Sequence, residues 1–148
     1  MDIDLLVTEL RRDEGVRYNP YRDTKNILTT GVGHNMESDP LSVGTTFPLS
    51  DDQVNALLVS DIQTKAIDPL NNYLPWWTLL DEVRQRILAN LMFNMGPGTL
   101  LEFHHTLAAM ESGDYVTAAA GMRNSAWAKE VGARADRLAT AMETGVMP

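Results

Sequence analysis

Asp13-Glu14-Gly15-Val16-Arg17, then Tyr21-Arg22-Asp23-Thr24, then Thr29-Thr30-Gly31-Val32-Gly33-His34, mark the point where a helical pattern gives way to short strands. Upstream, Ile3, Leu6, Val7 and Leu10 recur at the spacing of one helix face, which predicts a helix over residues 3–14. Asp2 or Asp4 can cap its start and Gly15 can end it. Downstream, from Arg17 to about Thr46, glycines, prolines, threonines and asparagines predict a twisted hairpin or three strands.

Beyond this junction the pattern is helical again. Ser50-Asp51-Asp52-Gln53 reads as a capping box, and the helix it opens places Val54, Leu57, Leu58 and Ile62 on one face, with Pro69 as its bound. Residues 79–95 carry apolar side chains around most of the circumference, so this helix is expected at the centre of the core, stopped by Gly96-Pro97-Gly98. Shorter helices are expected near 100–111, 114–123 and 133–143. Helix, small sheet, then helices is an α+β order. One domain over 1–148 is expected, with a β lobe at 15–49 and a helical part formed by 1–14 and 50–148.

Composition removes several function classes. The net charge is −8 and no basic stripe exists, against nucleic-acid binding. With no cysteine, disulfides, thiolate catalysis and Cys-ligated zinc are excluded. Gly31-Val32-Gly33 fails as a dinucleotide fingerprint because the third glycine position is Met36. His104 and His105 are adjacent, which suits no shared helical metal site, so neither metal nor cofactor is expected. The acidic N-terminus lacks the basic start of a secretory signal, and no apolar run reaches the roughly 20 residues that span a bilayer. The chain is therefore expected in a cytoplasm, without membrane insertion.

A helix end folded back onto a hairpin can bring Glu14, Asp23 and Thr29 around one cleft. Glycoside hydrolysis needs one carboxyl kept protonated for the leaving oxygen and one kept ionised. Burial in an apolar pocket is how the first is achieved, and a threonine hydroxyl can orient water. Spacing alone does not separate this reading from a solvated last-turn Glu14 and a plain turn residue Asp23.

The motifs Asp-Glu-Gly-x-Arg, Tyr-x-Asp-Thr and Thr-x-Gly-x-Gly-His strongly resemble the phage T4 lysozyme family, glycoside hydrolase family 24. Phe93-Asn94-Met95-Gly96, Ser125-x-Trp127 and Arg134-Ala135-x-Arg137 resemble further segments of that family, so the likeness reaches both ends of the chain. The resemblance implies a lysozyme-like fold and a muramidase with Glu14, Asp23 and Thr29 as catalytic residues. It implies an inverting course, with Glu14 as acid and with Asp23 and Thr29 holding the attacking water. The two carboxyls then stand roughly 6.5–9.5 Å apart, and a covalent intermediate on Asp23 is the competing mechanism.

The resemblance also implies that Arg134 orients the acid, although a surface arginine fits the sequence as well. A His34–Asp61 ion pair is expected to join the β region to the capped helix. Asn35, Phe93, Asn94 and Thr106 match substrate-contacting positions loosely, with Phe93 equally suited to the core. The implied partner is the glycan strand of peptidoglycan, met by a monomer that a holin-type pore releases from the host cytoplasm. The alternatives are a catalytically silent wall-binding or tail component, and a glycosidase acting on chitin-like polymers.

Three features depart from the family. The chain is acidic where many members are basic. Lys25-Asn26-Ile27-Leu28 replaces an aromatic and glycine pattern. The stretch between Met36 and Ser50 is short.

Overall fold

The computed structural model describes all residues, Met1–Pro148, and 64% of them are helical beside one small antiparallel sheet. The fold is thus α+β and lysozyme-like. The chain forms two compact units, Ile3–Thr64 and Lys65–Pro148, the latter including Met1–Asp2. The first unit takes in both flanking helices as well as the strands at 15–49, because both helices bury their apolar faces within it.

In the first unit, α1 (Ile3–Glu14) buries Leu6, Val7 and Leu10 on one face. Each such side chain contributes roughly 1.5–3 kcal/mol when fully buried. Gly15, at φ 76°, ends the helix and donates its N–H to the Arg11 carbonyl at 3.1 Å. Then come β1 (Arg17–Arg22), β2 (Leu28–Gly31) and β3 (His34–Asn35), paired antiparallel in the order β1-β2-β3. Tyr21 faces Thr29, Thr29 faces Asn35 and Thr30 faces His34. The helix α2 (Asp51–Ile62) packs on α1, β2 and β3 through Val54, Leu58 and Ile62. Its capping box is complete: the Ser50 hydroxyl accepts from the Gln53 N–H and the Gln53 side chain accepts from the Ser50 N–H. Arg11 ties α1 to α2 by donating to Asn55 Oδ1 at 2.8 Å and Asp51 Oδ1 at 2.9 Å.

Pro69 does not end the helical path, as the sequence pattern suggested. A π-helical turn (Gln63–Ile67) leads into α3 (Asp68–Tyr73), which holds Pro69 in its first turn. A first-turn proline costs little, since the N–H it lacks has no intrahelical partner there.

In the second unit, a 3₁₀ turn (Pro75–Leu79) buries Trp77 and precedes α4 (Glu82–Leu100). Every residue from Arg86 to Met92 is buried, and α4 packs against α3 and α8. Gly96 breaks α4 at φ 74°, ψ 168°, a conformation closed to residues with a Cβ. One further turn follows it, so the next helix starts later than expected. That helix is α5 (His104–Ser112), followed by α6 (Tyr115–Arg123), α7 (Ala126–Val131) and α8 (Ala133–Thr144). A Cβ on Gly121 would lie 2.2 Å from the Thr106 hydroxyl oxygen, so the glycine is what lets α6 approach α5. No helix is long and apolar enough to cross a membrane.

Candidate active site

Glu14 is the last residue of α1 and is exposed. The burial expected around a general acid is therefore not supplied at this position. Helix α1 ends here, and Gly15 and Val16 leave the carboxylate at the helix rim rather than under a side-chain cover.

Asp23 opens the five-residue connection between β1 and β2, and its geometry is tightly specified. Its Oδ1 accepts from the backbone N–H groups of Lys25 and Ile27, both at 2.9 Å. Its main-chain carbonyl accepts from Asn26 N–H at 2.9 Å, and its own N–H donates to the Ile27 carbonyl at 3.0 Å. Asn26 adopts φ 62°, the left-handed region that asparagine tolerates better than other residues with a side chain. This is how Lys25-Asn26-Ile27-Leu28 closes the turn without glycine. Both backbone hydrogen bonds to the carboxylate fall on one oxygen, Oδ1.

Thr29 lies in β2, buried to 3% exposure, and its hydroxyl donates to the Ile27 carbonyl at 2.8 Å. The proton is committed, so the oxygen offers its lone pairs to any further partner. One hairpin thus fixes Asp23 and Thr29 through Ile27, whose N–H serves the first residue and whose carbonyl serves the second.

On β3, consecutive side chains point to opposite faces. Asn35 shares the face of Thr29, and its Oδ1 accepts from the N–H groups of Glu37 and Ser38 at 2.9 and 3.0 Å. It caps the turn that follows. His34 shares the face of Thr30 and is 2% exposed. Its Nδ1 lies 2.7 Å from Oδ2 of Asp61, which is 3% exposed on α2, and its Nε2 lies 2.8 Å from the Asp39 carbonyl. The hydrogen bond to Asp61 raises the His34 pKa above the ordinary histidine value; burial opposes this, and the Asp39 carbonyl adds to the rise.

The remaining residues singled out by the sequence lie in the second unit. Arg134 is buried on α8, and its Nε and Nη2 donate to Asn90 Oδ1 at 3.1 and 2.7 Å. Phe93, half-buried on α4, has the Lys65 ammonium 5.3 Å from its ring centre. Asn94 accepts from the Trp127 indole N–H at 2.7 Å, beside a cleft of about 450 Å³ that Trp127, Phe103, Glu102 and Glu130 also line. Thr106 is buried against Gly121, so it holds α5 to α6 and presents no surface to a ligand.

Sequence reading missed Asp13. Its side chain is fully buried and accepts from Arg12 Nε at 3.1 Å. Helix spacing does not single it out, because Asp13 stands three residues after Leu10 and Glu14 stands seven after Val7, so both continue the apolar stripe.

A family model described as phage lysozyme matches residues 11–141. Among curated proteins, the chain is 28% identical to the pre-baseplate central spike protein Gp5 of Enterobacteria phage T4. That match covers 92% of this chain but 27% of the spike protein. It is 24% identical to the probable T4-type lysozyme 1 of Dictyostelium discoideum, with 93% of both chains covered. It is also 34% identical to the endolysin of Salmonella phage P22, over 61% of this chain and 60% of that one.

Proposed function

Because the chain belongs to the phage lysozyme family, we propose that it hydrolyses the β-1,4 bond between N-acetylmuramic acid and N-acetylglucosamine in bacterial peptidoglycan. Glu14 donates the proton to the leaving oxygen. Asp23, aided by the lone pairs of the Thr29 hydroxyl, holds the attacking water. The observation that carries this reading is the double backbone clamp on Asp23 Oδ1 at 2.9 Å, which leaves one carboxylate oxygen in a fixed position. A base that needs no reorganisation at the moment of reaction is what such a step requires.

Glu14 is exposed in the chain itself. In this proposal the glycan supplies the cover, and its sugar rings exclude water from the carboxyl only once bound. The biological setting that fits is host lysis, with the enzyme released to the wall through a pore made by another protein.

A second reading has one observation in its favour, the similarity to a phage spike protein. On that reading the chain is a wall-binding or tail component without activity. Clearing of purified walls by wild type, Glu14→Gln and Asp23→Asn decides between them. An active wild type with at least a hundredfold loss in Glu14→Gln is expected, about the lower end of general-acid contributions. Near-normal clearing by Glu14→Gln means the acid is misassigned, and an inactive wild type favours the silent component.

A further inference from the structure

We propose that Tyr73, Trp76 and Leu79 form a stacking platform for the sugar rings of a neutral, N-acetylated glycan. The platform shares no residue with the proposed reaction. The choice of this glycan rests on the proposed function, and the platform gives the enzyme a second hold on the polymer it cuts.

Exposure along this stretch follows a three-residue period. Leu74, Trp77 and Leu80 are buried. The residue before each of them faces outward: Tyr73 is exposed, Trp76 is half-buried and Leu79 is 86% exposed. The cause is the 3₁₀ turn Pro75–Leu79, in which side chains three apart eclipse one another. The Trp77 N–H donates to the Leu74 carbonyl at 2.9 Å and the Leu80 N–H to the Trp77 carbonyl at 3.2 Å, which holds this pitch. Trp76 and Leu79 therefore share the outer face, and Tyr73 ends α3 one step before them. The platform is also fixed from behind. Trp77 donates its indole N–H to Asn71 Oδ1 at 2.8 Å. Gln85 of α4 donates through Nε2 to the Thr78 and Leu80 carbonyls, at 3.1 and 2.9 Å. A surface ordered in advance loses little entropy when a ligand settles on it.

The class of ligand follows from the residue types. No charged residue stands between Asp68 and Asp81, in a chain whose net charge is −8. A face without charge matches a neutral polymer and offers nothing to an anionic or cationic one. Tyrosine and tryptophan rings present flat apolar faces with negative π density, at small conformational cost. The C–H groups on one face of a sugar ring carry the complementary positive edge. The same stretch exposes the Asn72 amide, which both donates and accepts, as sugar hydroxyl and acetamido groups require. The rival occupant is a second copy of the chain, packed through Leu79.

Nuclear magnetic resonance titration of an N-acetylglucosamine tetramer into the full-length Glu14→Gln chain, chosen to spare the ligand from hydrolysis, tests the proposal. The indole N–H signal of Trp76 is expected to shift saturably, while that of Trp77, held by Asn71, stays in place. Tyr73→Ala, at an exposed helix end, keeps the parent melting temperature and weakens the tetramer by about tenfold, as read from the Trp76 signal. Val116→Ala, an exposed apolar residue elsewhere, binds as the parent does. A Trp76 signal that does not move at millimolar tetramer overturns the platform, as does unchanged affinity in Tyr73→Ala. A shift that follows protein concentration instead of sugar assigns the face to a second copy and overturns it too. The two readings fail separately: walls cleared by a wild type with a silent Trp76 remove the platform alone, and uncleared walls with a responding Trp76 remove the catalytic reading alone.

Discussion

Replacing Asp61 by asparagine removes the charge that faces His34 while keeping the shape of the side chain. Both residues are almost fully buried, at 3% and 2% exposure, and their contact is 2.7 Å. Breaking one partner of a buried ion pair costs about 3–5 kcal/mol, because the other charge is left without compensation. An unfolding entropy of about 2.1 cal/mol/K per residue, over 148 residues, makes 1 kcal/mol worth about 3 °C. The expected fall in melting temperature is therefore about 10–16 °C where His34 is charged. The pH dependence has a definite sign. His34 has its folded pKa raised, chiefly by the Asp61 hydrogen bond. Its stabilisation is full below the unfolded value of about 6.5 and is lost as pH rises through the folded value. The gap between wild type and Asp61→Asn is thus widest near pH 5.5 and narrows at higher pH, where the variant histidine is neutral at little cost. Melts followed by circular dichroism across this range measure it. An equal gap at every pH, or no gap on the acid side, refutes the reasoning.

Three further outcomes follow from local geometry. Asn26→Ala places an ordinary side chain at φ 62° and lowers stability by about 1 kcal/mol, while Asn26→Gly is neutral within a few tenths, as read from urea midpoints. Gly121→Ala drives a methyl into the Thr106 hydroxyl and costs about 1–3 kcal/mol; Thr106→Ala in the same chain recovers part of that loss, and simple additivity in the double variant contradicts the contact. Thr29→Val removes the hydroxyl bonded to the Ile27 carbonyl and costs about 1 kcal/mol of stability. Wall clearing by Thr29→Val falls by more than this loss explains if the oxygen holds water, and stays normal if its role is structural.

The pattern of helices was legible because its signals are local. The stripe of Leu6, Val7 and Leu10 and the Ser50–Gln53 box each act within a few residues. Short elements lacked enough turns to show a period, so α7 went unread and α3 was cut off at Pro69. Site residues divided in the same way. The placement of Asp23 and Thr29 on one hairpin follows from a turn of five residues, which sequence spacing does describe. The tasks of Asn35, Asn94 and Thr106 depend on their partners. Asn35 turned out to cap the following turn, Asn94 to receive the Trp127 indole and Thr106 to meet Gly121.

From sequence alone came the fold class, the coarse order of helix, small sheet and helices, and the junction at which Glu14 stands. Tertiary structure alone decided that the side chain of Asp13 is covered while its neighbour Glu14 is exposed. Periodicity is a property of neighbours along one helix, whereas burial is set by whatever distant segment covers a side chain. Two adjacent carboxylates can therefore read alike in sequence and meet opposite environments in the folded chain.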